Sequence, residues 1–217
     1  MALTFVVTGA SRGIGLALVR AIVARGDRAI AAIREPSTMI DGALTLVIDV
    51  TSTESVREAR ADFDEPIDVL INNAGMTGGP QFAPGMNLAR AEKIIDTNAL
   101  GPLRVYDAFA ELLRIRRGKL INVSSEAGSL GAFRASSKPE YAMSKAALNA
   151  LTRWVGAKDP EVLAVSIDPG WTRTETGGDA GPQTPDQAAQ RMLNAIDRLD
   201  ESHRGGFFDS DLSPIPW

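Results

Sequence analysis

The sequence predicts an α/β fold: a single domain built on a doubly wound parallel sheet of about seven strands, with helices on both faces. Three observations lead to this prediction. Short β-branched runs alternate with helical patterns, as in chains of βαβ units. The runs are almost continuously apolar, which is typical of parallel strands covered on both faces. No stretch of the 217 residues resembles an interdomain linker or an internal repeat, so residues 1–217 are expected to form one domain.

The predicted elements follow one another in the order that such a sheet requires. Strands are predicted at residues 3–7, 29–33, 44–48, 69–72, 120–123, 162–167 and near 207–208. Helices are predicted at residues 14–25, 53–63, 88–113, 142–157 and 185–199. Thr53 and Thr184 resemble helix starts, and Gly26 and Gly118 resemble helix ends. Segments 77–85 and 172–184 carry proline and glycine, and they are predicted to be substrate loops at the edge where the strands end.

Composition excludes several classes of function. A net charge of −4 makes a nucleic-acid partner unexpected, because such partners need a basic surface. The absence of cysteine excludes disulfides, thiolate nucleophiles and cysteine-ligated zinc, and the single histidine, His203, is not expected to bind a metal. We find no apolar run of about 18 residues and no signal-peptide pattern. No membrane partner is therefore expected, and the cytoplasm is the expected compartment.

Residues 8–15, TGASRGIG, lie between the first predicted strand and the first predicted helix. They do not match the fingerprint G-x-G-x-x-G, because Leu18 stands where the third glycine or alanine is expected. Even so, Gly9 would allow a tight turn, Gly13 the approach of a pyrophosphate, and Gly15 close packing of helix on strand. The helix N-terminus would then offer N–H groups to phosphates. The alternative is a glycine-rich turn that merely joins strand to helix.

Tyr141 and Lys145 form a pair that suits proton transfer. Four residues apart on a predicted helix, they share one face. A phenol has a pKa of about 10, and a nearby ammonium group favours its ionised form. Without further context, an exposed tyrosine and a solvated lysine would be the simpler interpretation.

Six short motifs occur in order, each on the expected element. The glycine pattern T-G-x-x-x-G-x-G at 8–15 is followed by NNAG at 72–75, TNALG at 97–101, INVSS at 121–125, YAMSK at 141–145 and DPGWTRT at 168–174. In this combination the chain resembles the short-chain dehydrogenase/reductase family from end to end. The resemblance implies a Rossmann-type fold and an oxidoreductase that transfers a hydride between a nicotinamide cofactor and a carbonyl or alcohol substrate.

The resemblance also implies a role for each member of a catalytic tetrad. Ser125 would hydrogen-bond the substrate carbonyl oxygen, and Tyr141 would deliver a proton to it. Lys145 would bind the nicotinamide ribose and tune the tyrosine. Asn98 would hold a water that links Lys145 to a proton relay. Ser124 competes with Ser125, which we prefer because the second serine of the family's pair is usually catalytic.

One spacing is longer than the commonest in the family. Ser125 and Tyr141 are 16 residues apart, and the additional residues lie in GAFRASSKPE, residues 131–140. A similarly long spacing occurs in the branch with C-factor-like and Sniffer-like carbonyl reductases. GGFFDSDLSPIPW, residues 205–217, resembles the final strand and the Pro-Trp end of that branch. The alternative is an inactive site with a displaced tyrosine.

The end of the second predicted strand favours NADP(H) over NAD(H). NAD-preferring relatives carry an aspartate there for the ribose hydroxyls, whereas this chain has Ile33 followed by Arg34. A guanidinium suits a 2′-phosphate in charge and in geometry, and Arg12 occupies the family's other basic position. Glu35 argues the other way, because a shift of one residue would present its carboxylate to the ribose.

Further cofactor contacts are implied where other strands end. Asp49 would meet the adenine amino group, although a strand-end cap is the alternative. Thr172 and Thr174 would offer hydroxyls near the nicotinamide carboxamide. The full set of predicted cofactor contacts is Gly9, Ser11, Arg12, Gly13, Ile14, Gly15, Arg34, Asp49, Val50, Asn72, Ala74, Gly75, Tyr141, Lys145, Pro169, Gly170, Thr172 and Thr174.

Two classes of function follow from the sequence. The first is an NADP(H)-dependent carbonyl reductase or alcohol dehydrogenase for a small or medium ketone or aldehyde, with a β-ketoacyl thioester reductase as the nearest alternative. The second is a non-catalytic protein that senses nucleotides or signals on the same fold. The complete tetrad favours the first class. Relatives often pair through the helices that carry Asn98 and Trp154, so a homodimer or homotetramer is expected.

Overall fold

The computed structural model describes residues 2–35, 40–78, 87–132 and 138–217 of the chain. In these residues seven strands form one sheet of order β3-β2-β1-β4-β5-β6-β7, and all neighbours are parallel. The strands are β1 Thr4–Thr8, β2 Arg28–Ile33, β3 Leu44–Val47, β4 Val69–Asn72, β5 Lys119–Val123, β6 Leu163–Asp168 and β7 Phe207–Asp209. The strand order reverses between β1 and β4, and ligands of doubly wound sheets bind at this reversal.

Six α-helices of the described residues cover the sheet in two layers, which confirms the predicted fold class. They are α1 Gly13–Ala24, α2 Thr53–Ala61, α3 Leu88–Ile95, α4 Gly101–Arg116, α5 Pro139–Lys158 and α6 Pro185–Arg198. Successive residues of a strand face opposite layers. Phe5 and Val7 pack with α1 and α6, whereas Val6 packs with α2, α4 and α5. None of the helices in the described ranges is long and apolar enough to cross a membrane.

The single helix predicted at residues 88–113 is divided in the structure. α3 ends at Ile95, Asp96–Leu100 form a π-helical segment, and α4 follows from Gly101. A Cβ on Gly101 would lie 3.0 Å from Val50 Cγ2, so the chain packs tightly there, and Pro102 lacks an N–H for helical hydrogen bonding. α4 ends at Arg116, three residues beyond the predicted end at 113, and the left-handed Arg117, with φ 49°, and Gly118 follow it. π-Helical segments often occur at functional sites.

A chain of hydrogen bonds between buried polar side chains joins the central strands to α5. Asn72 Nδ2 donates to Asn122 Oδ1 at 2.9 Å, and Asn122 Nδ2 donates to Thr152 Oγ1 at 2.8 Å. The hydroxyls of Thr152 and Ser166 are 2.7 Å apart. The Asn72 side chain is 2% exposed and its amide nitrogen is engaged with Asn122, while a cofactor contact of Asn72 stays a prediction.

The segment after β7 lies across the connection between β5 and α5. Trp217 packs on Phe207 with ring centroids 5.8 Å apart. The Gly131 N–H donates to the Trp217 carbonyl, and the Ser129 hydroxyl donates to the Pro216 carbonyl. The Pro-Trp end and the long Ser–Tyr connection, which the sequence presents as separate features, are thus in contact. Residues 133–137 of that connection, and 79–85 of the predicted loop at 77–85, lie outside the described residues.

Candidate active site

The glycine turn after β1 is held against the end of β4. Thr8 Oγ1 accepts from the N–H groups of Asn73 and Ala74 at 3.0 and 3.1 Å. Asn73 Nδ2 donates to the carbonyls of Thr8 and Gly9 at 2.9 and 3.2 Å. A Cβ on Gly9, whose φ is +66°, would lie 2.7 Å from Ala74 Cα, and a Cβ on Gly15 would lie 2.5 Å from Asn73 Nδ2 and closer still to the Gly9 carbonyl oxygen. Packing therefore requires both glycines.

Gly13 differs from these two glycines because a Cβ there would make only ordinary van der Waals contact. Its φ is +57°, and the atom nearest to a Cβ built there is Thr174 Cγ2, at 3.5 Å. Arg12, which precedes α1, makes no side-chain capping hydrogen bond, whereas α2, α3 and α6 all begin with capped N–H groups. The first N–H groups of α1 are thus left without a side-chain acceptor. Helix N-termini of this kind bind phosphate groups.

Two arginines lie near this turn. β2 ends at Ile33, and the exposed Arg34 follows it directly. Arg12 forms an ion pair with Glu175 at 2.9 Å, and both side chains are 72% exposed. Exposed pairs of this kind contribute little stability, so Arg12 can exchange Glu175 for an anionic ligand at small cost. Both arginines therefore remain suited to a phosphate.

Asp49 lies two residues beyond the end of β3. Its Oδ1 accepts from the N–H and the hydroxyl of Thr51 at 2.9 and 2.7 Å. Burial raises the pKa of Asp49, but the two Thr51 hydrogen bonds and the charges of Arg34 and Arg104 outweigh burial and hold it below its usual value. One oxygen of Asp49 thus caps the strand end, which was the alternative interpretation.

Asn98 is fully buried in the π-helical segment. Its Oδ1 accepts from Met76 N at 2.8 Å, and its Nδ2 donates to Met76 O at 2.8 Å and to Ser144 Oγ at 2.9 Å. A Cβ on Gly75 would lie 3.4 Å from Asn98 Oδ1 and 3.9 Å from Lys145 Nζ. The Asn98 amide therefore joins the loop after β4 to α5, next to Lys145.

Lys145 is buried beneath the ring of Tyr141. Its Nζ donates to the Val123 carbonyl at 2.7 Å and lies 5.6 Å from the centroid of the Tyr141 ring. Burial lowers the pKa of Lys145 to about 8, and the charge of Asp168 opposes this effect. The group is therefore an ammonium at neutral pH, close to the phenol.

Tyr141 lies in the first turn of α5, close to the Ser125 side chain. Burial raises the pKa of Tyr141 to about 12, the Ser125 side chain lowers it, and the charge of Asp168 raises it. Ser124, by contrast, is buried and donates to Asn149 Oδ1 at 2.6 Å. Ser125 is thus the serine that faces Tyr141, and the long connection does not displace the tyrosine.

The loop after β6 is tied together by Gln183, which the sequence did not single out. Gln183 Nε2 donates to the Pro169 carbonyl at 2.6 Å and to Thr172 Oγ1 at 3.0 Å. The Thr172 hydroxyl donates in turn to the Gly170 carbonyl at 2.9 Å. The Thr172 hydroxyl is therefore engaged within the loop, while Thr174 borders Gly13 across the turn.

The other predicted contacts lie at the margins of this site. Ser11 is exposed in the turn, Ile14 packs partly against the core, and the Val50 carbonyl accepts from Arg104 Nη1 at 3.2 Å.

The sequence analysis did not single out four residues that help to build the site: Thr8, Asn73, Asp168 and Gln183. The first three lie within motifs quoted for other residues. In the ranges described, no group of three or more His, Cys, Asp or Glu side chains is placed to hold a metal ion.

Comparisons with known proteins show the family and the fold of the chain. A family model described as "short chain dehydrogenase" matches residues 3–184. The C-signal protein of Myxococcus xanthus is 40% identical over 158 residues, which cover 70% of this chain and 93% of that protein. The NADPH-bound carbonyl reductase from chicken fatty liver and the carbonyl reductase Sniffer of D. melanogaster each match with a TM-score of 0.91 at 26% identity, over 100% of both chains.

Proposed function

The chain belongs to the short chain dehydrogenase family and is an oxidoreductase by that membership; we propose that it is an NADP(H)-dependent carbonyl reductase with Tyr141 as general acid and base. The observation that carries the proposal is the arrangement around this tyrosine. The Ser125 side chain faces this tyrosine and lowers its pKa, and the Lys145 ammonium lies 5.6 Å from its ring centroid. This arrangement lies where the strands of the sheet end, at the same edge of the sheet as the uncapped N-terminus of α1.

The residues at the strand ends fit a dinucleotide phosphate. The N–H groups at the start of α1, which have no side-chain cap, suit a pyrophosphate, and Arg34 and Arg12 suit a 2′-phosphate. Lys145 would bind the nicotinamide ribose. NADP(H), when bound, supplies the hydride. An NADPH-bound carbonyl reductase of the same fold supports this choice of cofactor.

The chain's own residues would orient the carbonyl and supply the proton. Ser125 and Tyr141 would both hydrogen-bond the carbonyl oxygen, which holds it at a fixed position. Because burial raises the pKa of Tyr141 to about 12, the phenol is protonated at neutral pH and can donate. The phenolate left behind would be stabilised by the Lys145 ammonium and the Ser125 hydroxyl.

A second candidate is a signalling protein on the same fold, since the relative from Myxococcus xanthus is named C-signal. The reductase is preferred because a sensor has no chemical need for Ser125, Tyr141 and Lys145 in this geometry. The experiment that separates the two follows NADPH and NADH oxidation against a panel of ketones, aldehydes and β-ketoacyl thioesters. Turnover with NADPH supports the reductase and identifies the substrate class. NADPH binding without reduction of any carbonyl would favour the signalling candidate.

Arg34→Ala is expected to weaken NADPH binding by about 10- to 100-fold, because a charge-assisted hydrogen bond to phosphate contributes about 1.5–3 kcal/mol. NADH lacks the 2′-phosphate, so its affinity is expected to stay the same. Fluorescence titration of each cofactor gives both dissociation constants. Arg20→Ala, on the exposed side of α1, is the matched control. Equal losses for NADPH and NADH in Arg34→Ala would contradict the assignment of Arg34 to the phosphate.

A further inference from the structure

The carboxylate of Asp168, at the end of β6, joins two loops of the candidate active site. Its Oδ1 accepts from the Gly170 N–H at 2.7 Å, and its Oδ2 accepts from the Glu126 N–H at 2.8 Å. Glu126 directly follows Ser125, and Gly170 belongs to the loop expected near the nicotinamide. One side chain therefore links the segment after the serine to that loop.

Asp168 also faces the titratable groups of the site. Tyr141 and Lys145 interact with it from α5, and Glu126 does so from the segment after β5. Burial raises the pKa of Asp168, the charge of Glu126 adds to this effect, and the two N–H donors and the Lys145 ammonium act against it. The negative charge of Asp168 in turn raises the pKa of both Tyr141 and Lys145.

We propose that Asp168 is a positioning residue for the reaction: it holds the Ser125 segment against the Pro169–Gly170 loop, and its negative charge disfavours a second anion at Tyr141. The inference rests on the proposed function, in which the protonated tyrosine gives its proton to the carbonyl oxygen. With Asp168 ionised, Tyr141 keeps that proton to higher pH. Without this charge, the phenol ionises earlier and reduction fails at lower pH.

Lys145 acts on Tyr141 in the opposite direction, because an ammonium favours the phenolate. Its pKa of about 8 lies well below the pKa of about 12 for Tyr141. In the protein without cofactor, Lys145 is therefore already neutral over the pH range in which Tyr141 ionises. In that pH range the effect of Asp168 on the pKa of Tyr141 is therefore measured without an opposing positive charge on Lys145.

The chain has two tyrosines, Tyr106 and Tyr141, so Tyr106→Phe leaves Tyr141 as the only one to observe. We would follow the ¹³Cζ resonance of labelled tyrosine during alkaline titration of the cofactor-free Tyr106→Phe protein, with and without Asp168→Asn. Asp168→Asn is expected to lower the pKa of Tyr141 by about one unit. Asp64→Asn, at an exposed position after α2, is expected to leave it unchanged. Circular dichroism at each pH shows whether the protein is folded, and only points from the folded protein are used.

Further variants separate the charge of Asp168 from its shape. Asp168→Glu keeps the charge and is expected to retain the high pKa of Tyr141. If Asp168→Asn does not fold, Asp168→Ser is a second neutral variant with a remaining oxygen for one loop N–H. A pKa of Tyr141 that stays the same in a folded neutral variant would overturn the inference.

Catalysis provides a separate readout. With NADPH and a reducible carbonyl, the alkaline limit of kcat is expected to move to lower pH in Asp168→Asn, because the charge of Asp168 raises the pKa of both Lys145 and Tyr141. If the wild-type protein reduces no carbonyl, the proposed function fails, and the titration still tests Asp168. If the wild type is active but neither measurement responds to Asp168→Asn, the role of Asp168 alone is overturned.

Discussion

Tyr141→Phe is expected to lower kcat for carbonyl reduction by about 100- to 10,000-fold, the range that general acid catalysis contributes, and to leave NADPH binding unchanged. The substitution removes only the hydroxyl that faces Ser125 and retains the ring beside Lys145. No other phenol is available at the site, since the second tyrosine, Tyr106, donates its hydroxyl to Asp159 at 2.6 Å. Initial rates of NADPH oxidation and a fluorescence titration of NADPH measure the two quantities.

Tyr106→Phe is the matched control, because it removes the same atom from the other tyrosine. It leaves the Asp159 carboxylate without one donor, so the free energy of unfolding is expected to fall by about 1–3 kcal/mol. Its kcat is expected to equal that of the wild type. A Tyr141→Phe protein that binds NADPH and reduces carbonyls at the wild-type rate would contradict the role of Tyr141 as acid.

Gly15→Ala is expected to lower the free energy of unfolding by about 2–3 kcal/mol and to weaken NADPH binding by at least about tenfold. The added Cβ would meet Asn73 Nδ2 at 2.5 Å and the Gly9 carbonyl oxygen at a shorter distance. Neither atom can yield freely, because Asn73 holds the glycine turn through its bonds to Thr8 and Gly9. The turn and the N-terminus of α1 would have to move together. Thermal unfolding, with a drop in Tm of about 4–12 °C, and NADPH titration test this.

Gly26→Ala makes the same substitution where no other atom lies within 4 Å of the new Cβ. Gly26 has a φ of +84°, so the only expected loss is that of placing an alanine in the left-handed region, about 1 kcal/mol of the free energy of unfolding. NADPH binding is expected to be unaffected there. If both alanine variants bind NADPH equally well, the turn does not depend on Gly15 in the way that we infer.

The sheet and its helical layers could be predicted because parallel strands buried on both faces leave a local pattern. Phe5, Val6 and Val7 are successive apolar residues whose side chains alternate between two cores, so the run is apolar throughout. The division of the helix predicted at 88–113 left no such pattern. It arises where Gly101 packs against Val50, a contact between residues far apart in the chain. The helix periodicity on either side continues without a visible break.

The sequence by itself determined the fold class, the family and the chemical types of the site residues, because all three depend on patterns within single segments. Only the tertiary structure decided that Ser125 and not Ser124 faces Tyr141, that Asn72 bonds Asn122 inside the sheet, and that Asp168 spans two loops. Each of these outcomes depends on where the ends of different strands meet. Strand order, helix packing and side-chain direction together determine which strand ends lie side by side, and no single segment contains that information.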